Sequence, residues 1–309
     1  MKMRSVRPGL FRLPVAATLV APCLFGGCVV QVDSEAQVAT EHQRFAVDGT
    51  PEVTLATFDG SVEVRTWDRP EVVVDIEKRG ATVELLERIQ VSSHQEGNRI
   101  RVEVRQPSQG RWGFVGAPQS ARVTAFVPAM CHLRARSDDG SISVEGVDGQ
   151  IELRTADGSV TALKVKGDVR AHTGDGRIKV EDMEGRCDLT TGDGSVTVTG
   201  RLTGLSVRTG DGSVTVRAFP GSHMGADWDV ESGDGAVLIT LPTAFSADVD
   251  ASTGDGRIQV GGLTPELGDR QERDRRDRDR RSLRTRLGVG GHLLKIRTSD
   301  GSIALKSIE

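Results

Sequence analysis

The sequence predicts an all-β fold, a single-chain parallel β-solenoid with about 18 residues per coil behind an irregular β-rich N-terminal part. Three observations predict it. An Asp-Gly motif recurs at a fixed spacing, the residues between its copies alternate apolar and polar, and the composition suits thin stacked coils. Aromatic residues are only 4% of the 309, Tyr is absent and Gly reaches 37. A core of Val, Ile, Leu and Gly fits stacked β-coils better than a conventional globular interior.

The motif Asp residues stand at Asp139, Asp157, Asp175, Asp193 and Asp211, each 18 residues after the last. Asp234, Asp255 and Asp300 follow at intervals of 23, 21 and 45, and an outlying early copy begins at Thr57. A strict period followed by tolerated insertions is what stacked coils with surface loops produce. Within a period, the third and fifth residues after the Asp are apolar: Ile142 and Val144, Val160 and Ala162, Ile178 and Val180. So are the twelfth and fourteenth, such as Ile151 and Leu153. This period-two alternation marks strands with one buried face. Val147, Val165 and Met183 add a third apolar site, and Gly149, Gly167 and Gly185 mark a second corner. Asp-Gly reads as a turn in which both residues tolerate positive φ, with the Asp bonding backbone amides two residues on. Thr or Ser two residues before each Asp would form a ladder beside the turn. Successive coils should stack ~4.8 Å apart. An antiparallel sandwich also accommodates period-two strands, but the fixed identity of whole coils favours the solenoid.

The chain divides as follows. Residues 1–27 carry Lys2, Arg4, Arg7 and Arg12, then an apolar stretch from Leu13 to Phe25, the pattern of an export signal. The stretch is too short to span a bilayer as a helix. It ends in Leu24-Phe25-Gly26-Gly27-Cys28, which resembles the site where bacterial lipoproteins are cleaved and acylated, so Cys28 is the expected lipidation site. Removing four positive charges takes the net charge from -4 to -8. Residues 28–41 read as a tether, 42–130 as the β-rich N-terminal part and 131–309 as the solenoid repeats. A charged insertion at 268–291 interrupts the repeats. From Asp269 to Arg286 it holds nine Arg against five acidic residues. It reads as a solvated loop, or alternatively as a contact for phosphate groups.

No residues stand out for catalysis, a cofactor or a metal. His42, His94, His132, His172, His223 and His292 are scattered. The motif Asp residues raise the alternative of calcium binding, but one Asp per corner supplies few oxygens. A carbohydrate-active β-helix enzyme is a second alternative. Such sites are singular, whereas these carboxylates are a repeated element. A negative net charge argues against nucleic acid. Cys131 and Cys187 fall three coils apart, roughly 14 Å, too far for a disulfide.

Val127-Pro128-Ala129 before the first regular coil, followed by repeated D-G-S and T-G-D-G units, resembles a bacterial adhesin-like domain family of unknown function. The resemblance runs from about Phe45 to the C-terminus and is strongest from Ala121 to Val260. It implies an exported or membrane-attached protein with a β-solenoid and no catalytic residues. The expectation is therefore a non-catalytic cell-envelope lipoprotein held to the membrane through acylated Cys28. Its partner would be an envelope protein or polymer. With Val29 and Val30 after the anchor, the outer membrane is the expected location in a Gram-negative cell.

Overall fold

In each regular coil the alternating Val and Ile residues form two strands, and each strand runs parallel to its counterpart in the next coil. Ile142 pairs with Val160, Val160 with Ile178, Ile178 with Val196 and Val196 with Val214, an offset of 18 at every step. The computed structural model describes residues 28–32, 37–106, 119–263 and 281–308. The chain is all-β and solenoid-like, with a single short helix, Val83–Arg88, among the described residues. The inward residues fill a continuous interior. Ile142, Val144, Ile151, Leu153, Val160 and Val169 are all at most 1% exposed. Each such side chain contributes ~1.5–3 kcal/mol by leaving water. Val147, Val165 and Met183 are buried beside them.

Each coil has a first strand, the Asp-Gly corner and a second strand, so the stack presents a first face and a second face. The order of coils departs from the order of the sequence at both ends. Glu52–Thr57 and Val62–Trp67 form a regular coil, not an irregular cap. That coil pairs on one side with His132–Ser137 and Ile142–Glu145, and on the other with Arg99–Arg105 and Ser120–Pro128. The early motif at Thr57 is thus a true corner, displaced 80 residues from its neighbour because Val62 stacks on Ile142. At the C-terminal end, Leu293–Thr298 and Ile303–Ile308 slot between Trp228–Ser232 with Val237–Pro242 and Ala247–Thr253 with Ile258–Gly261. The last coil in sequence is therefore the penultimate coil in space.

Antiparallel strands make the sheet mixed at both ends. Glu71–Gly80 lies antiparallel to Ser120–Pro128 and to Gln37–Ala46, which in turn pairs with Cys28–Val32. Residues 28–41, read from the sequence as a tether, thus hold one strand and the start of another. Gln90–Glu96 lies antiparallel to Arg99–Arg105, and Ser282–Leu287 to Ala247–Thr253. The ammonium of Lys78 is buried between Glu41, its ion-pair partner, and the Ile89 carbonyl at 3.0 Å, tying the first hairpin to the helix end. Antiparallel strands covering the terminal coils are one means by which sheets avoid presenting long open edges.

The motif corner works differently from the sequence reading. The turn is capped by the Thr or Ser hydroxyl, not by the Asp. Thr191 Oγ1 donates to the Gly176 carbonyl of the preceding coil at 2.9 Å and accepts from the Gly194 amide at 3.3 Å. Thr155, Thr173 and Thr209 repeat the pattern. Where the order departs from the sequence the hydroxyls follow it: Ser137 donates to Gly60, Thr298 to Gly235 and Thr253 to Gly301. The second motif residue is Gly for lack of room, not for positive φ. A Cβ on Gly176 would lie 1.9 Å from the Gly158 carbonyl, and one on Gly194 equally close to the Gly176 carbonyl. At the second corner positive φ does apply, since Gly149, Gly167 and Gly185 have φ of 154°, 97° and 136°.

Candidate functional site

The corners and the core repeat from coil to coil, so they carry the architecture. The set of outward side chains on the first face changes from coil to coil. Three outward side chains per coil form three rows along the stack. Cross-strand register places Glu52 beside His132 and Asp168 beside Arg186 in one row. Arg134, Glu152, Arg170 and Asp188 follow one another in the next. The third row has Arg136, Arg154, His172 and Thr190 in succession. Two of the histidines that looked scattered, His132 and His172, therefore share a face. Alternation gave these positions, eleven, thirteen and fifteen residues after each motif Asp, but it could not mark them as a surface of interest.

Most opposite charges here are already engaged. Arg134 bridges three coils, reaching Glu52 at 2.6 Å and Glu152 at 3.4 Å. Arg154 pairs with Glu152 at 2.7 Å and Arg208 with Asp229 at 3.4 Å. His132 Nδ1 accepts from the Gln150 amide at 3.2 Å. Three adjoining shallow grooves cross this face, and Arg170 lines all three. Their floors are the strand residues between, such as Leu153, Val169 and Ala171.

The Asp column gathers no ligand set. The motif carboxylates from Asp139 to Asp300 point outward along one edge and are exposed. Among the described residues, no group of three or more His, Cys, Asp or Glu side chains could hold a metal ion. Burial, together with the charge of Asp139, raises the Asp59 carboxyl above its ordinary range. Cys131 and Cys187 are free and buried. Burial pushes the Cys131 thiol up to about 12, and burial followed by the neighbouring Asp188 pushes Cys187 up as well. Both shifts disfavour the thiolate, the nucleophilic form of a cysteine.

Part of the charged insertion is visible. Arg281 pairs with Asp255 at 3.7 Å, Arg284 with Asp250 at 3.6 Å and Arg286 with Asp248 at 3.0 Å. These pairs tie the described part of the insertion to the terminal coil. Residues 268–280 of the insertion lie outside the described residues, as do residues 1–27, read from the sequence as an export signal. Cys28 opens the strand Cys28–Val32, the outermost of the antiparallel strands at the N-terminal end. No helix among the described residues is long and apolar enough to cross a membrane.

Residues 51–306 match the Toastrack DUF4097 family, and the chain belongs to it. No curated protein matches the chain. Solved structures resemble it at low identity. One is a putative lipid binding protein from Parabacteroides distasonis, at 11% identity and a TM-score of 0.41, covering 87% of this chain and 97% of that one. Another is a putative adhesin from Bacteroides fragilis, at 13% identity and a TM-score of 0.35, with the same coverage. A third is a putative cell adhesion protein from Clostridium sporogenes, at 10% identity and a TM-score of 0.27, covering 87% of this chain and 100% of that one.

Proposed function

We propose that this chain is an exported, lipid-anchored envelope protein without catalytic activity, whose stack holds its first face toward a partner protein or polymer. The observation that carries this reading is the contrast between what repeats and what does not. The hydroxyl ladder and the glycine corners are near-identical in the coils that carry the motif, which makes a stiff scaffold. The set of outward side chains on the first face changes from coil to coil, which is where recognition of one partner can be written. The fold also suggests an orientation. Acyl chains on Cys28 would hold the N-terminal end of the stack near the membrane, since the strand starting there is paired into the sheet. Outer-membrane placement in a Gram-negative cell follows from Val29 and Val30 after the anchor.

Metabolic labelling with a fatty acid, followed by membrane fractionation, tests the anchor. The wild-type chain should be labelled and sediment with membranes, and Cys28→Ala should be unlabelled. Photo-crosslinkers at Arg154 on the first face and Thr197 on the second test the surface. Specific capture at Arg154 alone is expected, and equal capture at both positions would sink the assignment of the face.

A further inference from the structure

We propose that the grooves around Arg170 form a binding site for a neutral, hydroxyl-rich chain, a linear glycan laid along the stack. This rests on the reading of the first face as the interaction surface and names its ligand. Elsewhere on this face, opposite charges in neighbouring coils close. Arg134 does so twice and Arg208 does so with Asp229. At the centre the pattern fails. Two adjacent coils set Asp168 opposite Arg186 and Arg170 opposite Asp188 in direct register. All four side chains are exposed, and none of them makes an ion pair or hydrogen bond among the described residues. Arg186 turns the other way and lies over Gly204, where a Cβ would come within 2.8 Å of its Cγ and Nε. Glycine at that position leaves the room its side chain occupies.

The quartet holds two guanidinium groups and two carboxylates, so its net charge is zero. An anionic or cationic ligand gains from one pair what it loses to the other. A ligand whose groups both donate and accept satisfies all four. Sugar hydroxyls do this, donating to carboxylates and accepting from guanidinium groups in charge-assisted hydrogen bonds. Gln150, His172 and Thr190 line the same grooves and extend the polar contacts to either side. The coils repeat every ~4.8 Å, so a linear polymer along the axis meets strand after strand at similar height. A shallow site with few aromatic side chains predicts weak binding per sugar and a dependence on chain length.

The full-length chain, solubilised in detergent, is titrated by calorimetry with dextran, laminarin and chitohexaose. Alginate and polyglutamate serve as charged probes. Binding to at least one neutral glycan is expected, with little change between low and high salt. Arg170→Ala and Asp188→Ala should each weaken it at least tenfold without shifting the melting temperature, since both side chains are exposed. Absence of binding to all three neutral glycans overturns the proposal. Binding that survives both substitutions also overturns it, as does binding confined to alginate or polyglutamate that falls steeply with salt. The surface reading itself is decided separately by crosslinking at Arg154. A captured protein there, with no glycan binding, would remove the glycan and keep the face.

Discussion

Replacing Thr191 with Val and Asp193 with Asn separates two explanations of the repeated motif. Val keeps the shape of Thr and removes only the hydroxyl. Thr191 is 3% exposed, so the loss occurs away from water. The hydroxyl's neutral hydrogen bonds disappear: the donated 2.9 Å bond to the Gly176 carbonyl, shared with the Gly174 carbonyl at 3.3 Å, and the 3.3 Å bond from the Gly194 amide. The bond that the hydroxyl donates is worth ~1 kcal/mol, and leaving the buried Gly194 amide without its partner costs ~1–3 kcal/mol, so the change should cost about 2–4 kcal/mol. For a chain of this size that lowers the melting temperature by roughly 5–15 °C. Asp193 is exposed and lies between Asp175 and Asp211 in a column of like charges. Asp193→Asn should leave stability within ~0.5 kcal/mol of wild type or raise it slightly, with any gain fading as salt screens the column. Urea unfolding followed by far-ultraviolet circular dichroism, with melting curves in low and high salt, measures both. If Asp193→Asn costs as much as Thr191→Val, the carboxylate is the capping group and the hydroxyl-ladder account is wrong.

Other consequences follow from the same geometry. Gly176→Ala should abolish folding of the intact stack, because its Cβ would lie 1.9 Å from the Gly158 carbonyl; a soluble variant with wild-type melting would refute this. Deleting residues 292–309 removes the coil pairing with Trp228–Ser232 and Ala247–Thr253 and bares strand edges on both sides. The truncated chain should aggregate, and light scattering showing a monomer of unchanged stability would count against the inserted-coil topology. Cys131 and Cys187 should resist thiol labelling at pH ~8 in the native protein and react fully in denaturant, with no bridge seen by mass spectrometry. Asp59 carries a raised pKa, so its charged form is disfavoured in the folded chain and its penalty is present above that pKa. The penalty vanishes as pH falls through the folded pKa toward the unfolded value of 3.8. Asp59→Asn should therefore stabilise the protein at neutral pH and lose that advantage in acid, as melting temperatures across pH would show.

The period, the core and the cysteine separation were legible because each is a local property of the repeat. Alternation assigned Ile142, Val160 and Ile178 inward, and their cross-strand pairing follows from the 18-residue spacing. The chemistry of the corner was only half legible. Ser and Thr were seen to align, but a carboxylate beside a glycine is such a common turn signal that it claimed the capping role. Only the hydrogen bonds show that the Asp is free of it. On the first face, alternation located Arg170 and Arg186, yet the orientation of Arg186 over Gly204 depends on a neighbouring coil and has no sequence signal.

The order of the coils was the least legible feature, and the reason lies in the motif itself. A corner that bonds a hydroxyl to any glycine carbonyl one layer below makes every coil an acceptable neighbour for every other. Chain connectivity does not settle the matter, because closing a longer loop costs only a little more entropy than closing a short one. Something must therefore make certain coils unequal. The antiparallel strands do so. Glu71–Gly80 fits against Ser120–Pro128, and Ser282–Leu287 fits against Ala247–Thr253 with Arg284 and Arg286 paired to Asp250 and Asp248. Each partnership occupies one edge of its coil and forces that coil outermost. The coil containing Thr57 and the coil containing Thr298 carry no such strand, so they are left to fill the positions one layer in. The non-sequential stacking at both ends is thus a consequence of capping, and the repeats between need no further instruction.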